Sequence, residues 1–227
     1  SLDDYYFHFA VVIGMFCALF CSMFLGTEYS DGTIRNKLIA GHTRVGIYLS
    51  NLTVTFVATL LMMAVWLIGA LVGVPELGFW EMGILHLLCY LLTAVLFVAA
   101  FSSIFTFISM LSGNKAVTVA ISILLFLGLL VMASMIYNGL QQPEMASSVE
   151  MSMDGIQMGD PQPNPAYVSG AKRAVYEFML DFLPTGQGIL MWQLGIANYV
   201  RMMLSSVFFT VVPTVCGIAF FKRKNLK

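Results

Sequence analysis

The sequence predicts an all-α membrane protein, built as a polytopic helical bundle. Of its 227 residues, 59% are hydrophobic and only 10% are charged, whereas soluble domains have about 45–50% and about 25%. Five long apolar runs interrupt the polar segments, and each is long enough for a helix that crosses a hydrocarbon core of about 30 Å. The alternation typical of a membrane barrel is absent, so the spans are predicted to be helices.

The five predicted spans belong to a single transmembrane domain that covers residues 1–227. Within them lie Arg201, His8 and His86 as the ionisable groups other than Cys and Tyr, a scarcity expected where charge is costly. The five spans cover residues 5–26, 51–74, 84–111, 117–138 and 195–220.

The loops between the spans differ sharply in basic charge. Residues 27–50, 112–116 and 221–227 hold eight Lys and Arg, whereas residues 1–4, 75–83 and 139–194 hold only Lys172 and Arg173. By the positive-inside rule, the first set is cytoplasmic. We therefore expect a multi-pass protein of the cell membrane, with the C-terminus in the cytoplasm and residues 139–194 forming a large extracellular loop. The predicted outside N-terminus and a first residue that is not Met lead us to expect a preceding span, six in all.

Several function classes are disfavoured by composition. The 11 Lys and Arg are balanced by 12 Asp and Glu, so no basic field is available for nucleic acid. Neither His8 nor His86 has an acidic neighbour one helical turn away inside a span, which disfavours catalysis. No catalytic, cofactor-binding or metal-binding residue is predicted. The cysteines all lie in apolar runs, where a thiol is usually a small buried hydrophobe: Cys17, Cys21, Cys89 and Cys216.

The segment at 27–50 is the most informative of the loops. Asp31 or Thr33 could cap a short helix, and Gly41 offers a stop. Such a helix would carry apolar residues on one face and lie parallel to the membrane. We place Ile34, Leu38 and Ile39 on that face.

This loop resembles the signature of type-two permease subunits of ATP-binding-cassette transporters, the ABC-2-like family. The resemblance is carried by Glu28-Tyr29, by Gly32-Thr33-Ile34-Arg35, by Leu38, and by Arg44 before the next span. The last span also runs directly into a short basic tail, as in many members. The resemblance implies a bundle of six spans, a coupling helix that docks on a separate ATPase subunit, and a second permease subunit as homo- or heterodimer partner.

The same resemblance assigns roles to residues of this chain. The positions implied to couple to the ATPase are Glu28, Gly32, Thr33, Ile34, Arg35 and Leu38. No phosphate-binding G-x-x-x-x-G-K-S/T motif occurs in the chain, so ATP and Mg²⁺ would bind to the partner subunit. Two alternatives remain open. In one, Arg35, Lys37 and Arg44 only contact anionic lipid head groups. In the other, the protein is a non-transporting anchor or sensor that recruits a cytoplasmic partner through the same loop.

The predicted outer loop has two halves. Residues 139–167 are rich in Pro, Gly, Ser and acids and are predicted to be an irregular spacer; a Cu(I) site at Met145, Met151, Met153 and Met158 is disfavoured because no Cys or His lies nearby. Residues 168–183 have the spacing of an amphipathic helix, with Asp181 on its polar side. The run at 184–188 is expected to break that helix.

Two residues of the last span are candidates for the transport pathway or its gating. Arg201 either extends to the outer head groups or lies on the substrate path. Pro213 removes a backbone hydrogen bond in mid-span and is expected to kink the helix, for shape or for gating. The aliphatic and aromatic character of the spans favours an amphiphilic cargo, lipid-like or peptide, over a small ion.

Overall fold

The computed structural model describes residues 3–72, 82–152 and 155–224. Within these ranges, five helices are long and apolar enough to cross a membrane. The all-α polytopic bundle is therefore confirmed. Parts of several predicted segments lie outside the described residues, namely the end of the 51–74 span, most of the 75–83 loop, Met153 and the end of the basic tail.

The elements follow one another along the chain as spans separated by short helices and one hairpin. The first part contains α1 (Asp3–Tyr6), α2 (Phe9–Ser30), α3 (Thr33–Ile39), α4 (Arg44–Leu71), α5 (Ile84–Ser112) and α6 (Lys115–Leu140). The second part contains β1 (Met145–Ser152), β2 (Gly155–Pro163), α7 (Gly170–Phe182), α8 (Pro184–Trp192) and α9 (Tyr199–Arg223).

The observed starts of two spans differ from the predicted ones because polar residues cap them. Helix α4 begins at Arg44 instead of at 51, since the Thr43 hydroxyl accepts a hydrogen bond from the Gly46 amide at 3.1 Å. Helix α9 begins at Tyr199 instead of at 195, and the Asn198 side chain accepts from the Arg201 amide at 2.9 Å. Such caps satisfy amides that have no partner within the helix.

Helix α2 lies at the centre of the bundle and packs against α4, α5, α6 and α8. Small residues allow this close packing: a Cβ on Gly14 would lie 2.5 Å from the Phe126 ring of α6. Cys17 and Cys21 are fully buried beside hydroxyl groups of α5. The cysteines therefore act as small core residues, and no disulfide is formed among the four free thiols.

The bundle has two ends that matter for function. At the α3 end, α3 packs against α2 and α4. Here the end of α2 also meets the end of α5 and the start of α6, and Lys224 after α9 reaches the end of α5. At the opposite, α7 end, α7 packs against α6, α8 and α9. The three segments predicted to be cytoplasmic thus begin or lie together at the α3 end.

Residues 145–152 and 155–163 form two antiparallel strands, so the predicted irregular spacer is wrong for them. Strands β1 and β2 pair from Met145 opposite Pro163 to Ser152 opposite Gly155. The short alternations Val149-Glu150-Met151 and Ile156-Gln157-Met158 were the sequence signal for these strands.

The predicted break of the helix before Pro184 is confirmed, since α7 ends at Phe182 and Leu183 is extended, and residues 184–188 begin a new helix, α8. Pro184 occupies the first turn of the helix, where the missing amide hydrogen is harmless. Residues 184–189 are buried, and a Cβ on Gly188 would lie 2.7 Å from the Ala10 carbonyl oxygen. The glycines therefore serve close packing of α8 into the bundle, not chain reversal.

Candidate functional site

Helix α3 lies between two glycines with left-handed backbone conformations. Gly32, with φ of 71°, precedes its first residue, and no side chain caps its start. The predicted cap by Asp31 or Thr33 is therefore wrong: the Asp31 carboxylate accepts instead from the Ser30 hydroxyl at 3.2 Å. Gly41, with φ of 90°, follows the end of the helix, where a stop was predicted. Both positions suit glycine, which has no Cβ to clash.

One face of α3 points into the protein and the other is exposed. Ile34 is buried and Leu38 packs against the same core. Ile39, by contrast, is 76% exposed, because at 100° per residue it lies well around the helix from Ile34. The prediction that all three share a face is wrong for Ile39. Arg35 and Asn36 are exposed beside it.

The predicted site residues Glu28 and Arg35 have different surroundings. Glu28 forms an ion pair with Lys37, and its side chain is only 12% exposed. Its second oxygen, Oε2, is buried with no hydrogen-bond partner among the described residues. Arg35 is exposed and makes no ion pair within the described part of the chain. Glu28 therefore holds α3 against α2, whereas Arg35 is available to a partner.

Lys224 links the end of α2, just before α3, to the end of α5. Its Nζ donates to the Met110 carbonyl at 2.9 Å and to the Leu111 carbonyl at 2.8 Å. It also lies 4.3 Å from the centre of the Tyr29 ring, and the Tyr29 hydroxyl donates to the same Met110 carbonyl at 2.7 Å. A cation at these carbonyls also complements the α5 dipole. Burial lowers the pKa of Lys224.

Arg44 makes the corresponding contact after α3. One of its guanidinium nitrogens donates to the carbonyls of Phe221, at 2.7 Å, and Lys224, at 2.5 Å. These carbonyls lie at the end of α9, where the last carbonyls have no partner one turn further along; the Phe221 carbonyl also accepts from the Lys224 amide at 3.3 Å. Both flanks of α3 are thus attached to the end of α9, and one of them also to the end of α5.

A cavity of about 470 Å³ lies beside α3 on the side of α6. Thr27, Glu28, Asp31, Thr33 and Lys115 contribute its polar lining. Lys115 donates to the Thr27 hydroxyl at 3.0 Å. Among the predicted site residues, Glu28 and Thr33 line this cavity, Gly32 sets the turn, Ile34 and Leu38 face the core, and Arg35 is exposed.

Sequence reasoning missed Tyr29, Lys37 and Lys224 as parts of this arrangement. Their signal was present, because basic residues often satisfy the last carbonyls of a helix. Which helix end each one reaches, however, depends on contacts between segments far apart in the chain.

The other two candidates lie apart from α3. The Pro213 carbonyl accepts a hydrogen bond from the Tyr48 hydroxyl at 3.4 Å, and α9 continues through the proline. Arg201 lies at the α7 end, where it forms an ion pair with Asp181. The Arg201 side chain is still 38% exposed, so the ion pair leaves both predicted interpretations of this residue open.

Asp181 is 3% exposed, although its side of α7 was predicted to face solvent. The turn from α7 into α8 packs it against α9 through Gln187, whose amide nitrogen donates to the Asp181 carbonyl at 2.8 Å and to the Met202 carbonyl at 3.2 Å. Burial raises the pKa of Asp181, and nearby Arg201 opposes this shift.

Comparison with known proteins gives one match. A family model described as "ABC-2 family transporter protein" matches residues 2–144. The matched range runs from α1 through α6, includes α3, and covers well over half of the chain. No curated protein and no solved structure matches the chain.

Proposed function

Because the chain belongs to the ABC-2 family of transporters, we propose that it is the membrane-spanning subunit of an ATP-driven exporter. In this proposal a separate cytoplasmic ATPase subunit binds ATP and Mg²⁺, and a second permease subunit, identical or different, completes the transport unit. The family membership itself establishes a transport permease; the direction, the ATPase and the dimer are the proposal.

The observation that carries the proposal is the division of α3 into a buried and an exposed face. Ile34 and Leu38 fix the helix to the bundle, whereas Ile39, Arg35 and Asn36 project from it. An exposed isoleucine next to a cation is suited to a groove of a partner protein, where apolar burial and a charge-assisted contact combine.

The attachments of α3 support a mechanism of alternating access. When ATP binding brings the ATPases together, they would push on α3. The contacts of Tyr29 and Arg44 would pass that movement to the ends of α5 and α9. These two helices pack extensively against each other, so they would move as a pair and open the pathway outward. Pro213 of α9 is a candidate gating position in this scheme, and Arg201 a candidate pathway position.

The alternative function is a non-transporting anchor or sensor that recruits a cytoplasmic partner through the same loop. The separate alternative, in which the loop only contacts lipid, has less support, because Lys37 is paired with Glu28 and Arg44 is engaged with the end of α9. Only Arg35 of the three is free to meet a head group. Measurement of ATP hydrolysis in liposomes separates the two functions, since a transporter should stimulate or require hydrolysis and an anchor should not.

The proposal is tested by replacing Ile39 with Asp in the complex of this chain and its ATPase. We expect loss of ATPase co-purification and at least tenfold slower transport, with unchanged insertion. His42→Asp is the matched control, because it places the same charge in the same loop beyond α3, and it should retain most of the activity. Full transport by the Ile39→Asp variant would show that α3 is not the docking helix.

A further inference from the structure

Two cavities meet at Arg201 at the α7 end. The first, of about 260 Å³, lies between α6, α7 and α8, and the second, of about 560 Å³, lies between α7 and α9. We call them the polar cavity and the aromatic groove. Arg201 lines both.

The polar cavity combines positive and negative groups in equal number. Arg173, Glu177, Asp181 and Arg201 contribute its charged lining. Arg173 pairs with Glu177 at 3.0 Å, and Arg201 pairs with Asp181. A purely anionic or purely cationic group would therefore meet like charge as well as opposite charge there, whereas a zwitterion would meet a complement for each end.

The aromatic groove is apolar along most of its length. The rings of Phe178 and Phe182 on α7 are stacked with centroids 5.5 Å apart, and Phe208 on α9 lies 5.7 Å from Phe182. Leu204 and Val200 complete the wall and are 65% and 67% exposed. The groove has the volume and the apolar lining to hold a hydrocarbon chain.

Arg201 has a donor that nothing in the described protein satisfies. Its Nε is buried and has no hydrogen-bond partner among the described residues. Buried donors in folded proteins almost always have an acceptor. A water takes about 30 Å³ in the liquid, so the polar cavity has room for a much larger group than one bridging water.

We infer that this pair of cavities binds one phospholipid with a zwitterionic phosphoethanolamine head, drawn from the leaflet at the α7 end. A phosphate oxygen accepts from Arg201 Nε, the ammonium lies beside Glu177, and one acyl chain occupies the aromatic groove. Burial raises the pKa of Asp181, and a neighbouring ammonium would favour its charged form. The site does not depend on α3 or on ATP coupling, so either proposal can fail alone.

The test measures binding of short-chain lipids to the purified full chain in detergent, by native mass spectrometry and by the shift in thermal unfolding midpoint. We expect dihexanoyl phosphatidylethanolamine to bind at least tenfold more tightly than dihexanoyl phosphatidylglycerol. Glycerophosphoethanolamine, which has the head without the chains, should bind at least tenfold more weakly than the lipid.

Variants assign the binding to named groups. Arg201→Lys keeps a cation beside Asp181 but lacks the Nε donor, and Phe208→Ala shortens the groove; each should weaken binding of the phosphatidylethanolamine at least fivefold. Lys172→Gln removes a cation on α7 that lines neither cavity, and it should leave binding unchanged. Each variant's unfolding midpoint without lipid reports whether it is folded.

Several outcomes would overturn the inference. Equal binding of the two lipids would contradict the head-group assignment. Equal binding of glycerophosphoethanolamine and the lipid would show that the aromatic groove does not bind the acyl chain. Unchanged binding by a folded Arg201→Lys variant would remove the role of Nε. Displacement of the lipid by an amphiphilic zwitterionic peptide at a lower concentration would reassign the site to peptides.

Discussion

The ring of Tyr48 occupies the space that a side chain on Gly217 would need. A Cβ built on Gly217 would lie 2.5 Å from Tyr48 Cζ and closer still to the hydroxyl oxygen. Tyr48 is fully buried, and its hydroxyl donates to the Pro213 carbonyl one turn before the glycine. This contact fixes α4 against α9 near the α3 end.

Gly217→Ala should therefore destabilise the protein, even though alanine is the better helix former. Overpacking of a filled core typically costs about 1–3 kcal/mol, so we expect a lower unfolding midpoint in detergent. Gly128→Ala is the matched control, because a Cβ there meets nothing within 4 Å, and it should be neutral or stabilising. Equal midpoints for the two variants would mean that Tyr48 moves aside freely.

Glu28 and Arg35, the two charged candidates of the coupling loop, should differ in how much they contribute to stability. Glu28→Ala removes the partner of Lys37 from a largely buried position. It should lower the free energy of unfolding by about 1–3 kcal/mol, which is measured as a lower unfolding midpoint. Arg35→Ala removes an exposed side chain and should leave the midpoint within about 0.5 kcal/mol of the wild type.

In transport assays both variants should be impaired, Arg35→Ala through docking and Glu28→Ala through the position of α3. The double variant should insert normally and lose transport. Transport at the wild-type rate by Arg35→Ala would exclude this arginine from the contact with the ATPase.

Lys224→Met should loosen the α3 end. It removes the cation that serves the Met110 and Leu111 carbonyls, and hydrogen bonds to charged groups contribute about 1.5–3 kcal/mol. We expect faster amide hydrogen exchange in residues 29–39. Lys222→Met, an exposed position on the same tail, is the control and should not change exchange there. Equal protection in both variants would contradict the anchoring role.

The direction in which stability changes with pH tests whether burial or the Arg201 ion pair has the larger effect on Asp181. Burial raises its pKa, so between the ordinary value of about 3.9 and the raised one the folded state holds a proton that the unfolded state has lost. The group's contribution to stability therefore falls as the pH rises through that window. Relative to Asp181→Asn, the wild type should gain stability when the pH is lowered from 7 toward 4, as measured by unfolding midpoints. A relative loss would show that the Arg201 ion pair outweighs burial.

The membrane orientation is tested by labelling from outside the cell. In a background without the native cysteines, a thiol at Ser147, which is exposed, should react with an impermeant maleimide. A thiol at Asn36 on α3 should be spared. The reverse pattern would overturn the orientation and the proposed contact with a cytoplasmic ATPase.

The spans and α3 could be predicted from sequence because their signals are local. Length and apolar content identify a span, and Gly41 marks the end of α3 whatever surrounds it. The family resemblance in the loop at 26–50 likewise depends on neighbouring residues. These features require no knowledge of what packs against them.

The parts that could not be predicted depend on distant contacts. In the sequence, nothing distinguishes Arg35, Lys37 and Arg44, which are three basic residues of one loop. In the described structure, Lys37 pairs with Glu28 and Arg44 binds the end of α9, whereas Arg35 makes no ion pair. Pro184 correctly marks the end of α7. That the residues after it form α8 could not be predicted, because α8 is held in the bundle by partners on α2 and α6, such as the Leu129 carbonyl that accepts from the Thr185 hydroxyl at 3.0 Å.

The attachments of Arg44 and Lys224 also set an order for biogenesis. Arg44 finds its acceptors 177 and 180 positions later in the chain, and the Met110 carbonyl finds Lys224 114 positions later. Because synthesis proceeds from the N-terminus, α3 is released from the ribosome and reaches the membrane before any of these partners exists. Until α9 is inserted, the Arg44 guanidinium lacks these acceptors and the Met110 carbonyl lacks the Lys224 donor, although the Tyr29 hydroxyl can already reach it. Maturation of the α3 end is therefore the closing step of assembly.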